Sequence, residues 1–157
     1  MEGLYYEDWT DGRVLTTRGR TIYDYDISAF VGLSGMAEEL FINRAYYETQ
    51  SIFRRRVAPG LLILAIAEGL VIQEGWLHNT GLAFLGFDEH RVVAPVGVGD
   101  TVHVEVQVIE RRTTRQPGRG IVKTRHTVKN QDGAAVATFL TTRLIAVRAA
   151  AAQHGAS

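Results

Sequence analysis

The stretch APGLLILAIAEGLVIQEG, from Ala58 to Gly75, is the most apolar part of the sequence. Its proline near the start and its glycine at the end are residues that helices favour at those two places. The stretch therefore predicts one helix from about Pro59 to Glu74, which would be roughly 24 Å long.

This helix carries large aliphatic side chains on nearly every side. They are Leu61, Leu62, Ile63, Leu64, Ile66, Leu70, Val71 and Ile72. The segment is shorter than the ~20 residues that span a bilayer, and it contains the charged residue Glu68. We therefore predict a buried core helix rather than a membrane span, and other parts of the chain must wrap around it.

The second half of the chain supplies strands for that purpose. In GDTVHVEVQVIERRTTRQ, Gly99 to Gln116, every second residue from Val102 to Val108 is a valine, which is typical of a half-buried strand. GLAFLGFDEHRVVAPV, Gly81 to Val96, is also rich in β-branched and aromatic residues. Asn130 to Gly133 reads as a hairpin turn between two further strands. The prediction is an α+β fold with an antiparallel sheet.

Two short helices are expected before the long one. Asp24 is placed to cap the first, which would contain Ile27, and Asn43 is placed to cap the second, which would contain Tyr46. The 157 residues fit one domain, predicted over residues 1–148, and the tail 149–157 is expected to be disordered.

The composition excludes several classes of function. Lysine plus arginine equals aspartate plus glutamate at 17 each, so the whole molecule has no net charge to attract nucleic acid. There is no cysteine, which rules out disulfides, thiolate nucleophiles and cysteine metal sites and permits a reducing compartment. The opening MEGLYYEDWTDG lacks the basic and then apolar order of a signal peptide. We predict a cytoplasmic protein without membrane partners.

No metal or nucleotide cofactor is predicted. The five histidines do not have the spacing of metal ligands. GVGD, Gly97 to Asp100, precedes an alternating strand, whereas a glycine-rich nucleotide loop should open a helix.

Four segments, taken in order, resemble the MaoC-like dehydratases, or (R)-specific enoyl-CoA hydratases, from Tyr5 to Arg148. The segments are YYEDWTDGRVLTTRGRTIYDYDISAFVGLSG, YYETQSIFRRRVAPGLL, VVAPVGVGDTV and RRTTRQPGRGIVKTRHTVKNQDGAAVA. The resemblance implies a hot-dog fold, with one long central helix wrapped by an antiparallel sheet. It also implies at least a dimer, a tunnel for an acyl thioester, and coenzyme A only as part of the substrate.

The catalytic motif of that family is not kept here. The resemblance places an aspartate and a histidine, in the order G-D-x-N-P-x-H, after the first helix. When the motif is aligned with VGLSGMAEELF, Met36 stands at the aspartate position and Phe41 at the histidine position. Neither side chain can exchange protons, so the usual pair cannot operate at these positions.

Two glutamates, Glu38 and Glu39, stand between these positions. One hypothesis is that one of them, made less acidic by apolar neighbours, moves protons in place of the lost pair, while Met36 and Phe41 contact the substrate. The alternative is that Met36 and Phe41 are packing residues at helical spacing and the glutamates form a solvated face.

Pro59 and Gly60 lie where the long helix begins, and the resemblance implies that the Gly60 N–H polarises the thioester carbonyl. The alternative is a helix start with proline and no further role. Arg119, Lys123 and Arg125 belong to a basic hairpin that could bind coenzyme A phosphates, although such a run is also typical of a solvated hairpin. Glu68 is interpreted as a structural or dimer-contact residue.

The leading interpretation is a hydro-lyase acting on an acyl-CoA or related thioester, as a homodimer or larger homo-oligomer. Two alternatives stay open. One is a non-catalytic thioester-binding subunit paired with a catalytic homologue. The other is a hot-dog thioesterase, which would give weight to Glu68.

Overall fold

The computed structural model describes residues 2–149. After a short 3₁₀ turn at Tyr6–Asp8, the first half contains β1 (Val14–Thr16), β2 (Arg20–Thr21), α1 (Asp24–Ser34), α2 (Glu39–Ile42), α3 (Arg44–Thr49) and α4 (Gly60–Gln73). The second half contains β3 (Gly81–Val92), β4 (Thr101–Thr113), β5 (Arg119–Lys129) and β6 (Ala135–Ala146). The predicted tail lies, apart from Ala149, outside the described residues.

The strands form an antiparallel sheet in the order β1, β4, β5, β6, β3, and β2 pairs with the beginning of β4. The prediction of an antiparallel sheet in the second half is confirmed. β1 and β2 were not predicted, because strands of three and two residues are too short to show an alternating pattern.

Helix α4 packs against the inner face of this sheet. The valines of β4 at positions 102, 104, 106 and 108 are each at most 1% exposed, and on the helix Ala67, Leu70 and Val71 are buried to a similar degree. The alternation read from the sequence therefore separates a core face from an outer face. Burial of the apolar core face is the main driving force for packing the sheet against the helix.

The ends of α4 lie within one residue of the prediction. Pro59 is the N-cap, and its carbonyl accepts the N–H groups of Leu62 and Ile63 at 3.0 and 3.3 Å. Glu74 is the C-cap, and Gly75 follows with φ +76°, a conformation that costs glycine little. Among residues 2–149, no helix is both long and apolar enough to cross a membrane.

The two short helices differ in how they begin. Asn43 caps α3 as predicted, since its side chain accepts the Tyr46 N–H at 3.3 Å. The prediction for Asp24 was wrong, because Asp24 is the first helical residue of α1 and Tyr23 is the N-cap. The carboxylate that serves this end is that of Asp26, which accepts the Tyr23 N–H at 2.8 Å.

The turn at Asn130 to Gly133 is confirmed. The Asn130 side chain accepts the N–H groups of Asp132 and Ala134, both at 3.0 Å. Gly133 has φ +77°, and its N–H bonds to the Asn130 carbonyl. This turn joins β5 to β6 and so sets their register, in which His126 lies opposite Phe139.

Removing a buried side chain from α4 should cost far more than removing an exposed one. Leu70 is 2% exposed and Ile72, on the other side of the helix, is 61% exposed. We expect Leu70→Ala to lower the free energy of unfolding by about 2–5 kcal/mol and Ile72→Ala by about 0.5 kcal/mol or less. Urea unfolding of both variants measures this, and equal losses would contradict the burial of α4.

Candidate functional site

An apolar cavity of about 340 Å³ lies at the N-terminal end of α4. Leu40 and Phe41 of α2 line one side, and Gly60 and Ile63 of α4 line another. Val92 at the end of β3, residues 93–96 after it, and Val136 and Ala137 of β6 also line it, as do Phe53, Val57 and Ala58 before α4. Its size and apolar lining suit a short acyl group.

Backbone pairing fixes the shape of this cavity, which we call the acyl cavity. Val57 forms an isolated antiparallel bridge with Gly97, and the Ala58 N–H bonds to the Val96 carbonyl at 2.7 Å. These two contacts hold the segment before α4 against the β3–β4 connection. The start of α4 is therefore placed at the cavity wall by hydrogen bonds.

Gly60 occupies a position where a side chain would not fit. A Cβ added there would lie 2.7 Å from Cγ2 of Val92. Among residues 2–149, no acceptor is found for the Gly60 N–H, as expected for the first turn of a helix. This N–H stands at the positive end of α4, where an electronegative oxygen could accept it.

The structure brings together only some of the predicted site residues. Phe41 and Gly60 line the acyl cavity, whereas Met36 and Pro59 do not. Glu38 and Glu39 are both exposed in the single chain, and the Glu39 carboxylate accepts a hydrogen bond from the Asn43 side-chain amide. Catalysis by Glu38 or Glu39 therefore stays a prediction, as does substrate contact by Met36 and Pro59.

Arg119, Lys123 and Arg125 lie on one face of β5, opposite the buried face. Lys123 is 4.0 Å from the Asp88 carboxylate, and Arg125 is exposed. None of the three lines the acyl cavity. Their binding to coenzyme A also stays a prediction.

A buried polar cluster, which sequence reasoning missed as a unit, joins α4 to the sheet. Glu68 of α4 is ion-paired with Arg143 of β6, and Arg143 donates a hydrogen bond of 2.6 Å to the Thr141 hydroxyl. His126 of β5 is fully buried, and its Nε2 lies 2.9 Å from the Thr124 hydroxyl. Its Nδ1 faces Oε1 of Glu68 at 3.4 Å. The five side chains thus form a polar ring, in which Glu68 Oε1 and His126 Nδ1 face each other without a hydrogen bond.

Only one member of this ring gave a signal in the sequence. Glu68 is unusual as a charge within an apolar helix, and its position predicts a structural or dimer-contact role. His126 and Arg143 occupy alternating strand positions that elsewhere hold apolar residues, and nothing local shows that they meet Glu68. Strand pairing brings them there, since β5 lies beside β6.

Burial dominates the electrostatics of the ring. It raises the pKa of the Glu68 carboxyl, and the Arg143 guanidinium opposes that shift. Burial also lowers the pKa of His126 to about 3, with the charge of Arg143 acting in the same direction. His126 is therefore neutral near pH 7. With its single proton on Nδ1, it would direct that N–H at Glu68.

This neutrality predicts a pH dependence of stability. An unfolded chain protonates histidine below pH about 6.5, whereas folded His126 resists protonation down to about 3. Its contribution is fully present above pH 6.5 and is lost as the pH falls, at about 1.4 kcal/mol per pH unit. Between pH 7.5 and 5, the wild type should lose about 2 kcal/mol more free energy of unfolding than His126→Gln. Urea unfolding across this range tests it, and parallel curves would contradict it.

Comparison with known proteins identifies the family that this chain matches. The MaoC like domain matches residues 8–130. Protein MaoC of Klebsiella aerogenes is 31% identical over 111 residues, which cover 71% of this chain and 32% of that protein. The chain therefore spans about a third of the length of this relative.

Solved structures agree with that match. The monoamine oxidase regulatory protein of Archaeoglobus fulgidus superposes with TM-score 0.85 at 29% identity, over 94% of this chain and 97% of that one. The (R)-hydratase of A. caviae involved in PHA biosynthesis gives 0.69 at 24%, over 88% and 97% of the two chains.

A Mycobacterium tuberculosis protein with a double hot-dog fold gives TM-score 0.77 at 21% identity, over 99% of this chain and 47% of that one. At these lower identities the likeness shows the fold, which is the expected hot-dog fold. From the domain match and the fold together, the chain belongs to the MaoC-like domain family.

Proposed function

We propose that this protein is a hydro-lyase that adds or removes water across the α,β bond of an acyl thioester. The observation that carries the proposal is the acyl cavity, whose wall includes Gly60 at the start of α4. An apolar cavity with one backbone donor at its edge suits a chain of carbons that ends in a carbonyl group. The (R)-hydratase of A. caviae, which shares the fold, supports the same reaction class.

The role proposed for Gly60 is to stabilise charge on the thioester oxygen. When water adds to the β carbon, electrons move to the carbonyl oxygen and an enolate forms. The Gly60 N–H, reinforced by the positive end of α4, would hold this oxygen as its charge develops. Because the donor is part of the backbone, it is already oriented before the substrate binds.

Proton transfer is assigned to a glutamate of the Glu38–Glu39 pair, and we favour Glu38. Glu39 already accepts from Asn43, whereas no partner of the Glu38 side chain is found among residues 2–149. In hydration, the carboxylate takes a proton from water while the water oxygen bonds to the β carbon. The carboxyl then returns the proton to the α carbon, so the glutamate is regenerated and no cofactor is consumed.

A second candidate function is a thioester-binding subunit without catalysis. The exposure of Glu38 and Glu39 and the replacement of the family's proton-transferring residues by Met36 and Phe41 favour it. It predicts thioester binding without turnover. A parallel assay for released thiol separates both candidates from thioester hydrolysis.

The proposed assembly is a homodimer or a pair with a catalytic homologue. β3 is the last strand of the sheet, and it exposes Leu82, Phe84, Leu85 and Phe87. A strand edge of this kind is normally covered, and a second copy could pair with it. The double hot-dog neighbour, which this chain covers to 47%, supports a second unit beside this one. Cytoplasmic location remains part of the proposal.

Replacement of the working glutamate should abolish turnover and leave binding. For Glu38→Gln we expect crotonyl-CoA hydration to fall by about 100-fold or more in kcat, with the KM changed little, because general acid–base catalysis contributes at that scale. Glu39→Gln is the matched control and should keep most of the activity. Loss of enoyl-thioester absorbance measures both. Retained turnover in both single variants would defeat the assignment.

A side chain at position 60 should obstruct the site. Gly60→Ala would bring a methyl group against Val92, so we expect about a tenfold or greater loss of kcat/KM for crotonyl-CoA. Adding Val92→Ala to the Gly60→Ala protein should restore part of the lost kcat/KM. Gly69→Ala, on the same helix with nothing within 4 Å of its added Cβ, should leave activity unchanged. An unimpaired Gly60→Ala enzyme would contradict the steric obstruction at Val92, although alanine keeps the backbone N–H.

A further inference from the structure

We infer that a second cavity, lined by four arginines, binds the phosphate of the thioester's carrier arm. This inference rests on the proposed function and adds the anionic end of the substrate to it. The cavity measures about 350 Å³, and its arginines are Arg44, Arg54, Arg55 and Arg56. We call it the arginine cavity.

The arginine cavity and the acyl cavity lie on two sides of one loop. Phe53 and Val57 line the acyl cavity, and the three arginines between them line the other. Arg56 also donates to the carbonyl of Phe41, an acyl-cavity residue, at 2.8 Å. A flexible ligand with an apolar end and an anionic end could therefore cross this loop and occupy both cavities.

The charge of the arginine cavity is positive, although the whole protein is formally neutral. Among residues 2–149, the carboxylates of Asp24 and Glu48 line it beside the four guanidinium groups, and Asp100, outside the lining, pairs with Arg55 at 3.0 Å, which leaves an excess of one positive charge. Guanidinium groups present paired N–H donors that match phosphate oxygens. The excess of positive charge gives the cavity a preference for an anion.

The four arginines divide into Arg56, which is structural, Arg55, which is exposed but pairs with Asp100 at 3.0 Å, and two accessible ones, Arg44 and Arg54. Arg56 is held by Asp24 at 3.0 Å and by the Ser28 hydroxyl at 3.0 Å, and so ties the loop to α1. Arg44, Arg54 and Arg55 are exposed. Arg44 pairs with Glu48 at the surface, where such a pair contributes little and a phosphate can compete for the arginine.

Two carriers have this chemistry: coenzyme A, with its nucleotide phosphates, and the phosphopantetheine arm of a carrier protein. The test is calorimetric binding of three saturated thioesters that cannot be hydrated, namely butyryl-CoA, butyryl-phosphopantetheine and butyryl-pantetheine. We expect the two phosphorylated esters to bind about tenfold tighter than butyryl-pantetheine. Raising the salt concentration should weaken only those two.

The variant Arg44→Gln with Arg54→Gln should remove about tenfold of the affinity for butyryl-CoA and leave butyryl-pantetheine binding unchanged. Arg112→Gln with Arg115→Gln is the matched control, since it removes the same charge from exposed positions in the β4–β5 hairpin, outside both cavities. If butyryl-phosphopantetheine binds as tightly as butyryl-CoA, the cavity recognises only the phosphate next to pantetheine, as expected for the arm of a carrier protein. If butyryl-CoA binds more tightly, the cavity also recognises the nucleotide, as expected for coenzyme A.

Equal affinities for all three esters, or an equal effect of the control pair, would overturn the inference. Failure of the proposed function appears differently, as an absence of crotonyl-CoA hydration in a protein that still binds butyryl-CoA through Arg44 and Arg54. The two ideas can therefore fail separately.

Discussion

An apolar helix that needs cover on nearly all sides is the constraint on which this structure depends. α4 carries aliphatic residues around its whole circumference, and Leu70, Val71 and Ala67 are almost fully buried. The sheet buries one side of this helix, while Leu61 and Ile72 on the other side stay 51% and 61% exposed in the single chain. The valines of β4 supply the centre of that sheet, and β3, β5 and β6 continue it.

The same constraint places the candidate site. Because one face of α4 is buried along its length, its first turn lies against other parts of the core, here the β3–β4 connection and the loop before the helix. Gly60 stands at that point with an N–H that the helix itself cannot satisfy. Packing that serves stability thus also leaves a donor at the wall of an apolar cavity. Gly60 therefore matters both for packing and for the proposed chemistry, because Val92 leaves no room there for a Cβ.

The polar ring around Glu68 shows a different use of the interior. Burying a carboxylate, an imidazole and a guanidinium group is costly unless each finds partners. Here the partners come from α4, β5 and β6, so the ring ties the helix to two strands. Oε1 of Glu68 and Nδ1 of His126 lack a hydrogen bond that meets normal geometry, although they face each other at 3.4 Å. The contact between His126 and Glu68 therefore depends on which ring nitrogen of the neutral imidazole carries its single proton.

The sequence by itself determined the long helix to within a residue, the alternating face of β4, the turn at Asn130 to Gly133, the cap at Asn43 and the fold family. All of these features except the family depend on local periodicity and on residues that favour one backbone conformation, which a reader of one segment can recognise. The family followed from the resemblance of four segments in order. The two short strands at Val14 and Arg20, the true cap of α1, the acyl cavity, the polar ring and the arginine cavity were decided by the tertiary structure alone. Most of them join residues far apart in the chain, such as Glu68 with Arg143, and the pairing of strands that brings these residues together leaves no periodic trace in the sequence.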